Sequence, residues 1–467
     1  VIEKLSTGIE GLDRLTDGGF QRGSAYIVQG PPGAGKTILA NQFCYSHVRS
    51  GGRALYMSLL AESSTRMLNY VRQLAFFDEN AVPDSLEYIS GYGVLEREGL
   101  PGLSKLIQHE LKRHQATAMV LDGTFVAQSV ASEQEFRSFI HGLQGVAAAA
   151  GAVLVMLTHQ ARQANSPEHT MVDGWIEMSN DTMGYRAVQN IQVRKQRGAN
   201  ILSGKHSFRI SEQGITVFPR AESCVDPQPS TAHQTSSLST GLQDLDLLLG
   251  GGIPTESATI VLGPTGSGKT TLGLHFLSQA SLDAPALMFG FYESPARLDL
   301  RARSLGLNLH QLVQSGAMHM VWQPPADIIP DEIVHDIVRR ARATGAKRVL
   351  LDGLVAIRDG LIDRVRLPYL INALSQQLRD MGATVLYTME IRELGLDSLM
   401  PSDELSAMID NVLLLNISRH EHAARRYLSV VKMRSRDFDP HTQPFHIGNG
   451  GFALGTDERL QAFGRVD

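Results

Sequence analysis

The chain alternates short, almost wholly apolar runs with longer stretches of helical periodicity. Residues 25–28, 54–59, 118–121 and 152–157 hold scarcely a polar side chain. A strand with one face in solvent alternates apolar and polar positions, so runs that are apolar throughout predict strands buried on both faces, in a parallel sheet covered by helices. The stretches between them read as crossover helices. Ser132-Glu133-Gln134-Glu135 is a capping box that opens one of these, and Gly151 is its stop. After about Ala187 the pattern turns β-rich (188–194, 206–210, 215–218), with glycine-containing turns between, and predicts strands added at one edge of the sheet. The expected fold class is α/β, a mostly parallel sheet flanked by helices.

The pattern is written twice. Leu5-Ser6-Thr7-Gly8-Ile9-Glu10-Gly11-Leu12-Asp13 returns as Leu238-Ser239-Thr240-Gly241-Leu242-Gln243-Asp244-Leu245-Asp246, and the pair Gly18-Gly19 as Gly251-Gly252. A period this long exceeds that of solenoid repeats, so each copy is expected to be a whole domain. Residues 223–237, polar and rich in proline and serine, read as the linker between a first domain over 1–222 and a second over 238–467. A length of 467 residues with 43% hydrophobic side chains allows for more than one buried core.

Each copy opens with an apolar run that ends in a glycine-rich loop: Gly30-Pro31-Pro32-Gly33-Ala34-Gly35-Lys36-Thr37 and Gly263-Pro264-Thr265-Gly266-Ser267-Gly268-Lys269-Thr270. The spacing G-x-x-x-x-G-K-T lets successive backbone N–H groups curl around phosphate oxygens, with a helix N-terminus aimed at the same anion. ATP is therefore expected against Gly30, Gly33, Ala34, Gly35, Lys36, Thr37 and Ile38, and against Gly263, Gly266, Ser267, Gly268, Lys269, Thr270 and Thr271. Lys36 and Lys269 would reach the β- and γ-phosphates. Asp122 and Asp352 each end an apolar strand and are followed by glycine, the arrangement that holds Mg²⁺ beside the hydroxyls of Thr37 and Thr270.

Glu62 and Glu293 each follow the strand after the loop helix. With that strand expected beside the loop, either glutamate could orient an attacking nucleophile over the γ-phosphate. Lys195-Gln196-Arg197 and Lys432-Met433-Arg434 form a second matched pair. Alternate residues on a strand share one side, so Lys195 with Arg197, and Lys432 with Arg434, could offer two cations to a neighbouring subunit's phosphates. Arg339, Arg340, Arg342, Lys347 and Arg348 read as a solvated helix face.

A net charge of −5 gives no global attraction to nucleic acid or anionic membrane. Two cysteines cannot make a disulfide framework and fit a reducing compartment. Residues 145–157 are too short to span a bilayer, and the start of the chain shows no export signal, so the cytoplasm is the expected location.

Taken together these residues resemble the KaiC family of tandem RecA-like P-loop ATPases, from Leu5 to about Leu454. The resemblance is carried by the Ser-Thr-Gly openings, the Gly-Gly turns, both loops, both strand-end aspartates, and Lys195-Gln196-Arg197-Gly198 leading into His206-Ser207-Phe208-Arg209-Ile210. It implies a homohexamer of two rings with ATP between subunits, hydrolysis in the first ring, serine/threonine autokinase activity in the second, and protein regulators. The chain departs from the family pattern in two places. The family carries adjacent glutamates where this chain has Ala61-Glu62 and Tyr292-Glu293. Where relatives present adjacent phosphoacceptors, it has Leu405-Ser406-Ala407-Met408-Ile409-Asp410, which leaves Ser406 as the candidate phosphosite. The chain also stops soon after Phe452, without the long tail through which clock relatives are regulated, so the expectation is a KaiC-like signalling ATPase outside a clock. Two other classes share the loops. A RecA- or helicase-like DNA motor would need a basic channel and salt-sensitive binding to single strands. A non-catalytic switch would bind ATP and assemble without turnover.

Overall fold

The computed structural model describes residues 3–61, 64–159, 167–184, 186–225, 236–391, 403–420, 423–434, 436–448 and 451–455. It divides into two compact units, Val1–Ser223 and Cys224–Asp467, each built on a nine-stranded sheet. In the first unit the strands are β1 (Ala25–Gln29), β2 (Ala54–Ser58), β3 (Leu86–Ser90), β4 (Ala118–Asp122), β5 (Val153–Thr158), β6 (Gly174–Met183), β7 (Arg186–Gln196), β8 (His206–Ser211) and β9 (Gly214–Phe218). In the second they are β10 (Ala258–Gly263), β11 (Ala286–Gly290), β12 (Met318–Trp322), β13 (Arg348–Asp352), β14 (Thr384–Glu390), β15 (Asn411–His420), β16 (Ala423–Met433), β17 (Gln443–Gly448) and β18 (Gly451–Leu454). The helices used below are α1 (Lys36–Arg49), α2 (Tyr92–His114), α3 (Glu133–Ala150), α4 (Pro167–Met171), α5 (Lys269–Ser278), α6 (Pro295–Ser304), α7 (Pro330–Thr344), α8 (Leu367–Arg379) and α9 (Asp403–Met408).

The two sheets have one topology. Their orders are β3-β2-β4-β5-β1-β6-β7-β8-β9 and β12-β11-β13-β14-β10-β15-β16-β17-β18. The first six strands of each order are parallel, and the last three are added antiparallel at the edge, as the β-rich pattern predicted. Both faces are covered, which is why the central strands are apolar throughout. Along β4, Val120 joins one core cluster, with Leu39 and Phe43 of α1, while Met119 and Leu121 join another, with Phe136, Phe139 and Ile140 of α3. The capping box that opens α3 is formed, Ser132 accepting from the Glu135 N–H, and Gly151 closes the helix in the left-handed conformation.

Two expectations are corrected. The strand after the loop helix does not lie beside the loop strand. In the observed order β5 and β6 flank β1, and β2 lies beyond β5 and β4, so Glu62 is not carried by a neighbour of the loop. Crossover connections, which leave no periodicity in the sequence, set that order. Arg348 is also not on a solvated helix face. It opens β13, is buried, and lays its guanidinium over the Phe276 ring at 4.8 Å while donating to the carbonyls of Ser239 and Phe276. Arg339 and Arg340 do lie on the α7 surface, both paired with Asp336.

Candidate functional site

Each phosphate loop leaves the carboxyl end of the strand at the centre of its sheet and enters α1 or α5. The entry is sterically defined. Gly35 and Gly268 have φ of 91° and 104°, and a Cβ there would come 2.7 Å from Ile210 Cδ1 or 2.6 Å from Ile447 Cδ1, so both positions require glycine. The loop lysines lie within their loops. Lys36 Nζ donates to the carbonyls of Gly30 (2.7 Å) and Pro31 (2.9 Å), and Lys269 Nζ to those of Gly263 and Pro264 (2.8 Å each). Partial burial lowers the pKa of both ammonium groups. Asp122 opposes this at Lys36, whereas at Lys269 Glu390 and then Asp352 oppose it.

The strand-end aspartates meet the loop hydroxyls. Thr37 Oγ1 donates to Asp122 at 3.4 Å, and Thr270 Oγ1 to both oxygens of Asp352 at 3.2 and 3.0 Å. A second hydroxyl aims each carboxylate, and the two units place it on opposite sides. Tyr56, on β2, donates to Asp122 Oδ2 at 2.7 Å, with Leu157 of β5 on the other flank. Thr388, on β14, donates to Asp352 Oδ1, and Met288 of β11 occupies the register position of Tyr56. Burial raises the Asp122 carboxyl pKa, opposed first by the Tyr56 hydrogen bond and then by Lys36 and Thr37. One carboxylate and one hydroxyl per site are hard oxygen donors suited to a Mg²⁺ that takes its remaining ligands from phosphate and water. Among the described residues no group of three or more His, Cys, Asp or Glu gathers into a metal site of its own.

The other predicted residues fall apart from this centre or outside it. Glu62 lies outside the described residues. Glu293 is described and pairs with Arg301 of α6 at 2.9 Å. Tyr292 stands over Gly353 as Leu60 stands over Gly123, so Glu293 follows its strand one residue sooner than Glu62 does. Lys195 and Lys432 are occupied within their own chain. Lys195 Nζ donates to the carbonyls of His169 (3.2 Å) and Thr170 (2.8 Å) at the end of α4, and Lys432 Nζ to those of Ser406 (2.6 Å) and Ile409 (2.7 Å) at the end of α9. Arg197 reaches Asp173 and Arg434 reaches Asp410, each at 3.4 Å, and Arg434 also donates to the Ala407 carbonyl. Each Lys-x-Arg pair thus completes the carbonyls of the short helix that precedes β6 or β15, a use of cations that the helix dipole favours.

Sequence reasoning missed four residues. Tyr56 and Thr388 hold the aspartates, and no local pattern marks Tyr56. Thr265 and Glu390 are joined across the second loop, Thr265 Oγ1 donating to Glu390 Oε1 at 2.6 Å. Thr388 and Glu390, two residues apart on β14, share one side of the strand, and polar residues at that spacing at the end of an apolar run are the signal that could have found them.

A strand-loop-helix phosphate site with a hydroxyl and a strand-end aspartate, present once per sheet, defines a tandem P-loop NTPase with two RecA-like units. The chain belongs to the KaiC ATPase family. The family model described as "ATPase: KaiC" matches residues 5–222 and again 238–459. Among curated relatives, the circadian clock oscillator protein KaiC of Picosynechococcus sp. is 24% identical over 97% of this chain and 90% of its own length. The proteins of the same name from Parathermosynechococcus lividus and Synechococcus elongatus are 25% and 23% identical, over 97% and 96% of this chain and 85% and 88% of their own.

Proposed function

We propose that this chain is an ATP-binding and ATP-hydrolysing signalling protein that assembles as a homohexamer, hydrolyses ATP in its first unit and transfers phosphate to its own Ser406 in its second. The observation that carries the reading is the duplicated geometry of the loop lysine, the loop threonine and the strand-end aspartate, built the same way on two sheets of one topology. Lys36 and Lys269 exchange their loop carbonyls for phosphate oxygens. Thr37 with Asp122, and Thr270 with Asp352, would hold Mg²⁺, which when bound would neutralise charge on the transferring phosphate. Gly30, Gly33, Ala34, Gly35 and Ile38, with Gly263, Gly266, Ser267, Gly268 and Thr271, complete the two cradles. Glu62 orients water in the first site, and Glu293, once released from Arg301, orients the nucleophile in the second.

Ser406 lies on α9, half-buried, with its carbonyl held by Lys432. In the transfer its oxygen bonds to the γ-phosphorus, the bond from that phosphorus to the β–γ bridging oxygen breaks, and the serine proton leaves to a carboxylate. Lys195, Arg197, Lys432 and Arg434 act across the subunit interface only when phosphate replaces the helix carbonyls they now complete. The regulators are proteins of a signalling pathway. No helix of the described residues is long and apolar enough to cross a membrane, and the location proposed is the cytoplasm.

Incubation with γ-labelled ATP, scoring free phosphate and protein-bound label separately, tests the proposal. Free phosphate that falls in Lys36→Ala, with label that falls in Lys269→Ala and Ser406→Ala, is the expected result. Equal label in Ser406→Ala and the parent excludes that acceptor. Absence of both products leaves a nucleotide switch.

A further inference from the structure

The two phosphate sites also differ beside the loop itself, where the second gains a carboxylate. The strands flanking a loop strand bring their carboxyl ends beside the loop itself, and in the second unit that neighbour is β14, which ends in Glu390. Gly263, the first residue of the loop, is the register partner of Glu390, and its carbonyl accepts from both the Ile391 N–H (3.2 Å) and the Lys269 ammonium (2.8 Å). The backbone of Glu390 is therefore fixed one strand spacing from the loop. Its side chain is fixed as well, because Thr265, the third residue of the loop, donates to Oε1 at 2.6 Å.

Both partners of this bond are peculiar to the second unit. Pro32 stands in the first loop where Thr265 stands in the second, and proline has no side-chain donor. The register position of Glu390 is held in the first unit by His159, which follows the end of β5 and packs on Phe125 with ring centroids 4.1 Å apart. The other candidate acidic side chains for this site already have partners. Asp352 takes the hydroxyls of Thr270 and Thr388, and Glu293 pairs with Arg301.

Resting on the reading that the second unit turns over ATP, we propose that Glu390, oriented by Thr265, is the carboxylate that takes the nucleophile's proton in the second site. The nucleophile is the hydroxyl of water or of serine. Its oxygen bonds to the γ-phosphorus, the bond to the bridging oxygen breaks with its electron pair leaving on ADP, and the proton passes to Glu390. A carboxylate so placed serves transfer and hydrolysis alike, and the first site, with His159 there, lacks it.

The test uses the full chain in which the first site is silenced by Lys36→Ala, and in parallel by Glu62→Gln, which leaves the loop lysine in place. Free phosphate and protein-bound label are measured in steady state with the affinity for ATP. Loss of a general base costs on the order of 100-fold or more in turnover. Glu390→Gln should lose that much kcat while its ATP affinity stays within about threefold, Glu390→Asp should recover part of the rate, and Thr265→Ala should fall by roughly 10- to 100-fold, the scale of one hydrogen bond to a charged group. Parental turnover in Glu390→Gln overturns the assignment and leaves the second-site reading intact. Tighter ATP binding with faster turnover in Glu390→Gln also overturns it, showing that the carboxylate repels the γ-phosphate. If neither silenced parent releases phosphate or takes up label, the reading of the second unit fails first and the role of Glu390 with it.

Discussion

Tyr56→Phe tests whether the hydroxyl that aims Asp122 is needed to hold the metal. Tyr56 is 1% exposed and Asp122 only 9%, so removing the hydroxyl gives water little access to replace the 2.7 Å bond. A hydrogen bond to a charged group contributes about 1.5–3 kcal/mol, and each ~1.4 kcal/mol is tenfold in an equilibrium constant. Loss of a group that orients a metal ligand is correspondingly expected to weaken metal binding by about 10–100-fold. The assay is a Mg²⁺ titration of ATP binding in a chain whose second loop carries Lys269→Ala, so that only the first site reports. The Mg²⁺ midpoint should rise by about 10–100-fold, while nucleotide binding in excess chelator changes little, because the Tyr56 hydroxyl donates to the Asp122 carboxylate and not to a loop group. Thr388→Val should act the same way on the second site and leave the first unaffected. An unchanged Mg²⁺ midpoint in Tyr56→Phe would refute the reasoning, since Asp122 would then be oriented by Thr37 alone.

Three further outcomes follow from the geometry. His275 Nε2 accepts from the Phe452 N–H, and burial lowers its pKa below the usual 6.5, so the unfolded chain takes up the proton first. Stability is therefore full above pH 6.5 and is lost as pH falls from there toward the depressed folded value. At the corresponding place in the first unit Gln42 exchanges two hydrogen bonds with Ile215, so His275→Gln should flatten the acid side of a plot of melting temperature against pH, and an unchanged slope would remove His275 as its source. Glu62→Gln should keep ATP binding and lose first-site turnover, and parental hydrolysis in that variant would mean the base lies elsewhere. If Lys432 and Arg434 contact a neighbour's phosphates, native mass measurement in MgATP should find a hexamer that Lys432→Ala with Arg434→Ala weakens, whereas a monomeric parent in saturating nucleotide would confine all four cations to their own helices.

The sequence alone determined those features whose physics is local. A phosphate loop depends on backbone angles that only glycine adopts freely and on a lysine and threonine at fixed spacing, so Gly30 to Thr37 and Gly263 to Thr270 are legible without a fold. Apolar runs mark buried strands, and an aspartate at the end of such a run falls at the carboxyl edge of the sheet, which placed Asp122 and Asp352 correctly. The duplication was legible because it repeats these signals in order. The tertiary structure decided which strands lie side by side, since that follows from crossover connections whose path leaves no periodic trace. It put β5 and β14 beside the loops in place of the strands that lead to Glu62 and Glu293, and so brought Glu390 to Thr265 across 125 residues and Tyr56 to Asp122 across 66. It also gave Lys195 and Lys432 their partners, the carbonyls at the ends of α4 and α9. Hydrogen bonds across such separations depend on the packed sheet, and no stretch of sequence short enough to show a pattern contains both of their ends.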